Sequence, residues 1–145
     1  MAEPVKILCV DDEVNILRTL QRLFRSEDWE VLTAASADEA LALLVRTPVQ
    51  VVLSDFRMPG RSGVDLLREV HRSWPDTVGI ILSGHADISA VTQAMEEEIV
   101  FCFVPKPWDR SELKETVAAA IALNRLRSRA SLLGEERREA TLERS

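Results

Sequence analysis

Val49-Gln50-Val51-Val52-Leu53-Ser54-Asp55 is a short, almost wholly apolar run that ends on a carboxylate. A parallel strand covered by helices on both faces reads this way, because neither side of the pleat meets water. Runs of similar size occupy residues 5–10, 30–34, 78–82 and 100–104, and with 49–54 they predict five strands. Helical patterns separate them. Leu17, Leu20 and Phe24 share one face of the first. Ser36-Ala37-Asp38-Glu39 opens the second with a capping pattern, followed by Ala40, Leu41 and Leu44. A third helix is expected over about 64–71 and a fourth over about 88–95. The fifth starts at Asp109-Arg110-Ser111-Glu112, again a capping pattern, and continues through 118–120. Strands alternating with helices predict right-handed crossovers and a doubly wound parallel α/β sheet.

The chain has 145 residues, 46% hydrophobic and 29% charged, enough for one buried core and unlike a disordered or collagen-like chain. Its longest apolar stretches are strand-sized, far short of the roughly 20 residues of a membrane span. Met1-Ala2-Glu3-Pro4 carries no basic cluster, so the N-terminus does not read as a secretory signal, and a cytoplasmic location is expected. Residues 124–145 hold six Arg against four Glu, a net of +2; the whole chain carries −6, so residues 1–123 carry −8. So acidic a body argues against nucleic-acid binding by that part. Cys9 and Cys102 lack metal-ligand spacing and read as buried thiols. After Asn124, Leu126, Ala130 and Leu133 keep helical spacing until Gly134 interrupts it. The expectation is a domain over 1–124 and a helical extension over 125–145.

Sheets of this class bind ligands outside the carboxyl ends of their strands. There the first strand delivers Asp11 and Asp12, the third Asp55, the fourth Ser83, and the fifth is followed by Lys106. Gathered carboxylates repel one another unless a cation sits among them, and hard oxygen ligands favour Mg²⁺. A carboxylate can then attack phosphorus to form an aspartyl phosphate, while a metal, an ammonium and a hydroxyl hold the equatorial oxygens.

Four blocks carry a resemblance. Ile7-Leu8-Cys9-Val10-Asp11-Asp12-Glu13, Val52 to Gly60, Ile81-Leu82-Ser83-Gly84 and Phe103-Val104-Pro105-Lys106-Pro107 together resemble a two-component response-regulator receiver domain over about residues 4–124. The wording Ser54-Asp55-Phe56-Arg57-Met58-Pro59-Gly60 and Lys106-Pro107-Trp108 is most similar to receivers of hydrogenase-synthesis regulators and of HD-type phosphodiesterases. The resemblance implies a flavodoxin-like sheet of order 2-1-3-4-5. It implies Asp55 as phosphoacceptor, Mg²⁺ held by Asp12, Asp55 and the Arg57 carbonyl with Asp11 acting through water, and Lys106 paired with Asp55. Ser83 and Phe103 would form the switch, and the Lys106–Pro107 bond would be cis. Ser83 stands where threonine is common and Phe103 where tyrosine is common. The implied partner is a histidine kinase or phosphotransfer protein, and homodimerisation is expected through the fourth helix, fifth strand and fifth helix.

Arg57 and His85, each two positions beyond a site residue, are either solvated or flank the phosphoryl group and tune its lifetime. His71 reads as solvated, Glu96-Glu97-Glu98 as a solvated helix end, and Trp108 as packing at the base of the last helix. Two other classes are weighed. A non-phosphorylated pseudo-receiver scaffold conflicts with intact Asp12, Asp55 and Lys106. A Mg²⁺-dependent phosphohydrolase lacks an acid placed for the leaving group. No Gly-rich loop follows any strand, which disfavours a Walker-type nucleotide enzyme.

Overall fold

The computed structural model describes residues 4–84 and 87–144, the side chains of 136 and 138–144 excepted. Five strands, β1 (Val5–Val10), β2 (Trp29–Ala34), β3 (Val51–Asp55), β4 (Val78–Ser83) and β5 (Cys102–Pro105), alternate with five helices. These are α1 (Val14–Phe24), α2 (Ala37–Arg46), α3 (Gly63–Ser73), α4 (Ile88–Glu96) and α5 (Arg110–Arg144). All pairings are parallel, as the sequence pattern predicts, and the order is β2-β1-β3-β4-β5, as the family resemblance implies.

Side-chain alternation divides the apolar strands between two cores. Leu8, Val10, Val52 and Ile81 face α2, α3 and α4, where Ala40, Leu44, Leu66, Leu67 and Val91 meet them. Ile7, Cys9, Leu53, Ile80 and Leu82 face α1 and α5, against Leu17, Leu20, Phe24, Leu113 and Val117. Central β3 is therefore buried on both faces, which is why its sequence is a run and not an alternation. Burying each such Leu or Ile contributes about 1.5–3 kcal/mol.

Two strand starts lie two residues later than expected. The fifth begins at Cys102 and not at residue 100, because the Ile99 and Val100 amides both turn back to the Ala94 carbonyl at the end of α4. The third begins at Val51, two residues late. Val49 is buried, but its carbonyl accepts the Thr77 hydroxyl at 2.9 Å. At the end of α4, Glu98 has φ 62°, its amide bonds Met95 O, and that of Ile99 bonds Ala94 O. This is the left-handed closing turn that glycine usually supplies. The acidic run is thus not merely solvated: Glu97 accepts Arg68 Nη1 at 2.8 Å, tying α4 to α3.

Ser36 caps α2 as expected, accepting the Glu39 amide at 3.1 Å, and Asp109 caps α5, accepting the Glu112 amide at 2.9 Å. Gly134 does not interrupt α5, which runs unbroken for 35 residues. Past residue 120 it stays tied to the α3–β4 turn. Asn124 donates to Asp76 O (2.8 Å), Arg127 to Thr77 O (3.5 Å) and Ser131 to Asp76 Oδ1 (2.9 Å). Trp108 packs against the α1–α5 core, and His71 is half-buried. Among the described residues no helix is long and apolar enough to cross a membrane.

Candidate phosphoacceptor and metal site

The strand register brings the predicted residues to one edge of the sheet. Val10 pairs with Ser54, Asp55 with Leu82, and Ser83 with Pro105, so Asp11, Asp55, Ser83 and Lys106 come from adjacent strand ends. Carboxylate oxygens of Asp11, Asp12 and Asp55 all lie within 4.8 Å of one another. Lys106 Nζ donates to Asp55 Oδ1 at 2.7 Å and stands 3.8 Å from Asp11 Oδ2.

Asp11 is almost wholly buried at 1% exposure, and the Glu13 amide bonds its Oδ1 at 2.9 Å. Its Oδ2 has no hydrogen-bond partner. Burial pushes the Asp11 carboxyl above its ordinary range. The charges of Asp55 and Asp12 add to the shift, while the Glu13 amide and Lys106 oppose it. An orphaned carboxylate oxygen beside two further carboxylates fits a divalent cation, because hard oxygen donors with excess negative charge are what Mg²⁺ takes. A single lysine leaves that charge only partly compensated.

Local sequence explains the positions. The β3–α3 connection, Phe56 to Ser62, doubles back at Gly60, whose φ is 86°, and the Gly63 amide returns to Phe56 O at 2.8 Å. Gly63 must lack a side chain: a Cβ there would lie 2.2 Å from the Asp55 carbonyl oxygen. Ser62 and Asp65 close a reciprocal capping box at the start of α3, a pattern the sequence reading passed over.

Ser83 is 2% exposed and its hydroxyl donates to Gly84 O at 2.9 Å. Phe103 is half-buried against the core that includes Val91 and Ala94 of α4. The Lys106–Pro107 bond is cis. His85, one of the two tuning candidates, lies outside the described residues. The other, Arg57, is not simply solvated. Its Nε bonds Asp87 Oδ1 at 3.0 Å and its Nη2 stands 2.9 Å from the same oxygen. The hydrogen bond to Asp87 holds the guanidinium above its ordinary range. No sequence signal marked this pair, whose members are thirty positions apart on different loops.

The response regulator receiver domain model matches residues 7–118. The chain belongs to that family. A phosphorylation switch is the general function of such receivers. The hydrogenase transcriptional regulatory protein HoxA of Cupriavidus necator is 40% identical over 93% of this chain. The alignment covers only 28% of that regulator, so the chain spans a little over a quarter of its relative's length. Among solved structures, a response regulator receiver domain protein from Clostridium thermocellum has a TM-score of 0.73, with 37% identity over 89% of this receiver and 98% of that chain. The signal receiver domain of an HD domain-containing protein from Pseudomonas fluorescens has a TM-score of 0.83 at 29% identity, covering 89% and 95% respectively. A hydrogenase regulator, one of the two kinds of relative that the sequence wording implies, is thus found, and the second structure is a receiver from a protein that contains an HD domain.

Proposed function

We propose that this receiver accepts a phosphoryl group on Asp55 from a histidine kinase or phosphotransfer protein in the cytoplasm. The observation that carries the reading is the 2.7 Å contact of Lys106 with Asp55, beside an Asp11 oxygen that has no hydrogen bond. Asp11, Asp12, Asp55 and the Arg57 carbonyl are the groups that would hold Mg²⁺, with Asp11 acting through water. The ion would supply positive charge for the phosphoryl oxygens. An Asp55 carboxylate oxygen attacks phosphorus, a P–O bond forms, and the P–N bond to the donor imidazole breaks. The departing imidazole keeps the bonding pair and takes a proton. Lys106 holds one phosphoryl oxygen and Ser83, turned from Gly84 O, donates to another.

The chemistry is self-directed. The protein promotes its own phosphorylation and hydrolysis and is a switch, not a metabolic enzyme. Phe103 has no ring hydroxyl, so its part in the switch is packing against α4. The output surface is α4, β5 and α5, where a second copy would dock, with residues 125–145 as a helical connection outside the receiver proper. The switch belongs to a larger transcriptional or cyclic-dinucleotide regulator, and this part of it makes no contact with nucleic acid.

Intact-mass spectrometry after incubation with a small phosphodonor and Mg²⁺, beside Asp55→Asn, tests this. The expected result is one phosphoryl adduct, absent from the variant and without Mg²⁺. No adduct under conditions that label a control receiver overturns the reading in favour of a scaffold.

A further inference from the structure

The Arg57–Asp87 pair joins the loop after Asp55 to the start of α4. Asp87 is 8% exposed, whereas the Arg57 side chain is 72% exposed. Asp87 occupies the N-cap position of α4 yet makes no side-chain cap bond there. Its φ and ψ of −105° and 2° depart from the extended geometry of Ser36 and Ser62, the caps of α2 and α3. No acid lies in the first turn of α4. The carboxylate that would cap α4 is thus occupied by Arg57, and among the described residues no side-chain cap bond forms at the helix start.

Arg57 is two residues from Asp55, and among the described residues its guanidinium contacts Asp87 alone. A phosphoryl group brings close to two negative charges and oxygens whose spacing matches the guanidinium fork. With Asp55 unmodified, the carboxylate of Asp87 has no such competitor.

We propose that Arg57 is exchanged between two anions: it holds Asp87 in the resting protein and moves to the phosphoryl group on Asp55, releasing Asp87 to cap α4. This rests on Asp55 being the phosphoacceptor. It gives Asp87 a positioning role and carries the modification to the first turn of α4 by a route that needs no ring hydroxyl at residue 103. The exchange makes the two acids competitors for one cation, so weakening one strengthens the other.

The test is a double-mutant cycle on the full chain. Beryllofluoride, a tetrahedral mimic of the phosphoryl group, is titrated with Mg²⁺ into wild type, Asp87→Asn, Arg57→Gln and the double variant. Arg57→Gln leaves the backbone carbonyl at that position in place. Asp87→Asn is expected to tighten beryllofluoride binding roughly three- to tenfold in the presence of Arg57 and to have no effect in the Arg57→Gln background. Asp87→Ser, which can still cap α4, guards against a folding defect and is expected to behave as Asp87→Asn does. An equal effect in both backgrounds means that Asp87 acts through α4 alone and overturns the exchange; no effect in either does the same. Intact-mass labelling of wild type separates the layers. Failure to label Asp55 overturns the phosphoacceptor reading, and the exchange with it. Labelling without coupling overturns the exchange alone.

Discussion

Lys106 reaches Asp55 from the far edge of the sheet, its ammonium 2.7 Å from the carboxylate across fifty-one positions of sequence. One cation therefore answers three clustered acids, and the imbalance sets opposite signs for two substitutions. Without Mg²⁺, Lys106→Met is expected to destabilise the fold by about 1–3 kcal/mol, because it strands buried negative charge. Asp12→Asn, which relieves repulsion at an exposed carboxylate, is expected to stabilise it by about 0.5–1 kcal/mol. Urea melts with and without Mg²⁺ check both. The ion should offset the Lys106→Met loss and add little to Asp12→Asn.

Gly63 has no room for a side chain. An added Cβ would meet Asp55 O at 2.2 Å, with Ile81 Cδ1 and Ser54 Oγ each at 3.0 Å. Backbone cannot yield as a flexible side chain does, so Gly63→Ala is expected to cost about 2–3 kcal/mol and to shift the end of β3. The second effect is the sharper one: phosphodonor labelling of the still-folded fraction should slow. Labelling at the wild-type rate would mean that α3 moves aside instead.

Glu98 sits at φ 62° with a side chain, where glycine would avoid the Cβ penalty. Replacing it with glycine is expected to raise stability by about 0.5–1 kcal/mol, the relief being partly cancelled by greater freedom in the unfolded chain. Glu98→Ala should gain nothing. Chemical melts of the two variants decide the matter.

Burial pushes the Cys9 thiol up from 9.0 to about 12, and that of Cys102 to about 11. A thiol that resists ionisation only when folded contributes stability that is fully present below pH 9, where both states are protonated. As pH rises from about 9 toward about 12 the unfolded state loses the proton first, so that contribution falls. Comparing stability curves over pH 8 to 10, Cys9→Ala should show a flatter alkaline decline than the parent. Native Cys9 should also resist alkylation at pH 8 until the chain unfolds.

Much of this receiver was legible because its central strands are apolar on both faces and its chemistry sits at the strand ends. Asp11, Asp12, Asp55 and Lys106 could be placed together once the strand order was inferred, since parallel crossovers send every carboxyl end to one edge. What escaped was decided by backbone geometry or by long-range partners. Residue 100 looks like strand, but its amide is drawn to Ala94 by the left-handed turn at Glu98, a conformation that glutamate does not announce. Gly134 looks like a stop, yet a lone glycine costs a helix only about 1 kcal/mol and α5 continues through it. Arg57 looks solvated because Asp87 lies thirty positions away. Ser62-Gly63-Val64-Asp65 was readable as a capping box and was obscured by the turn signal just before it.

The unbroken α5 makes the receiver a gauge with a long pointer. Thirty-five residues at 1.5 Å each give about 50 Å of rod, so a tilt of only about 10° at Asp109 would sweep its far end through about 9 Å. Asp76, gripped by Ser131 and backed by Asn124 on its own carbonyl, sits partway along that rod as a bearing. With that bearing in place, a small rearrangement at β5 would turn into pivoting about the α3–β4 turn; without it, the far end of the rod would swing free.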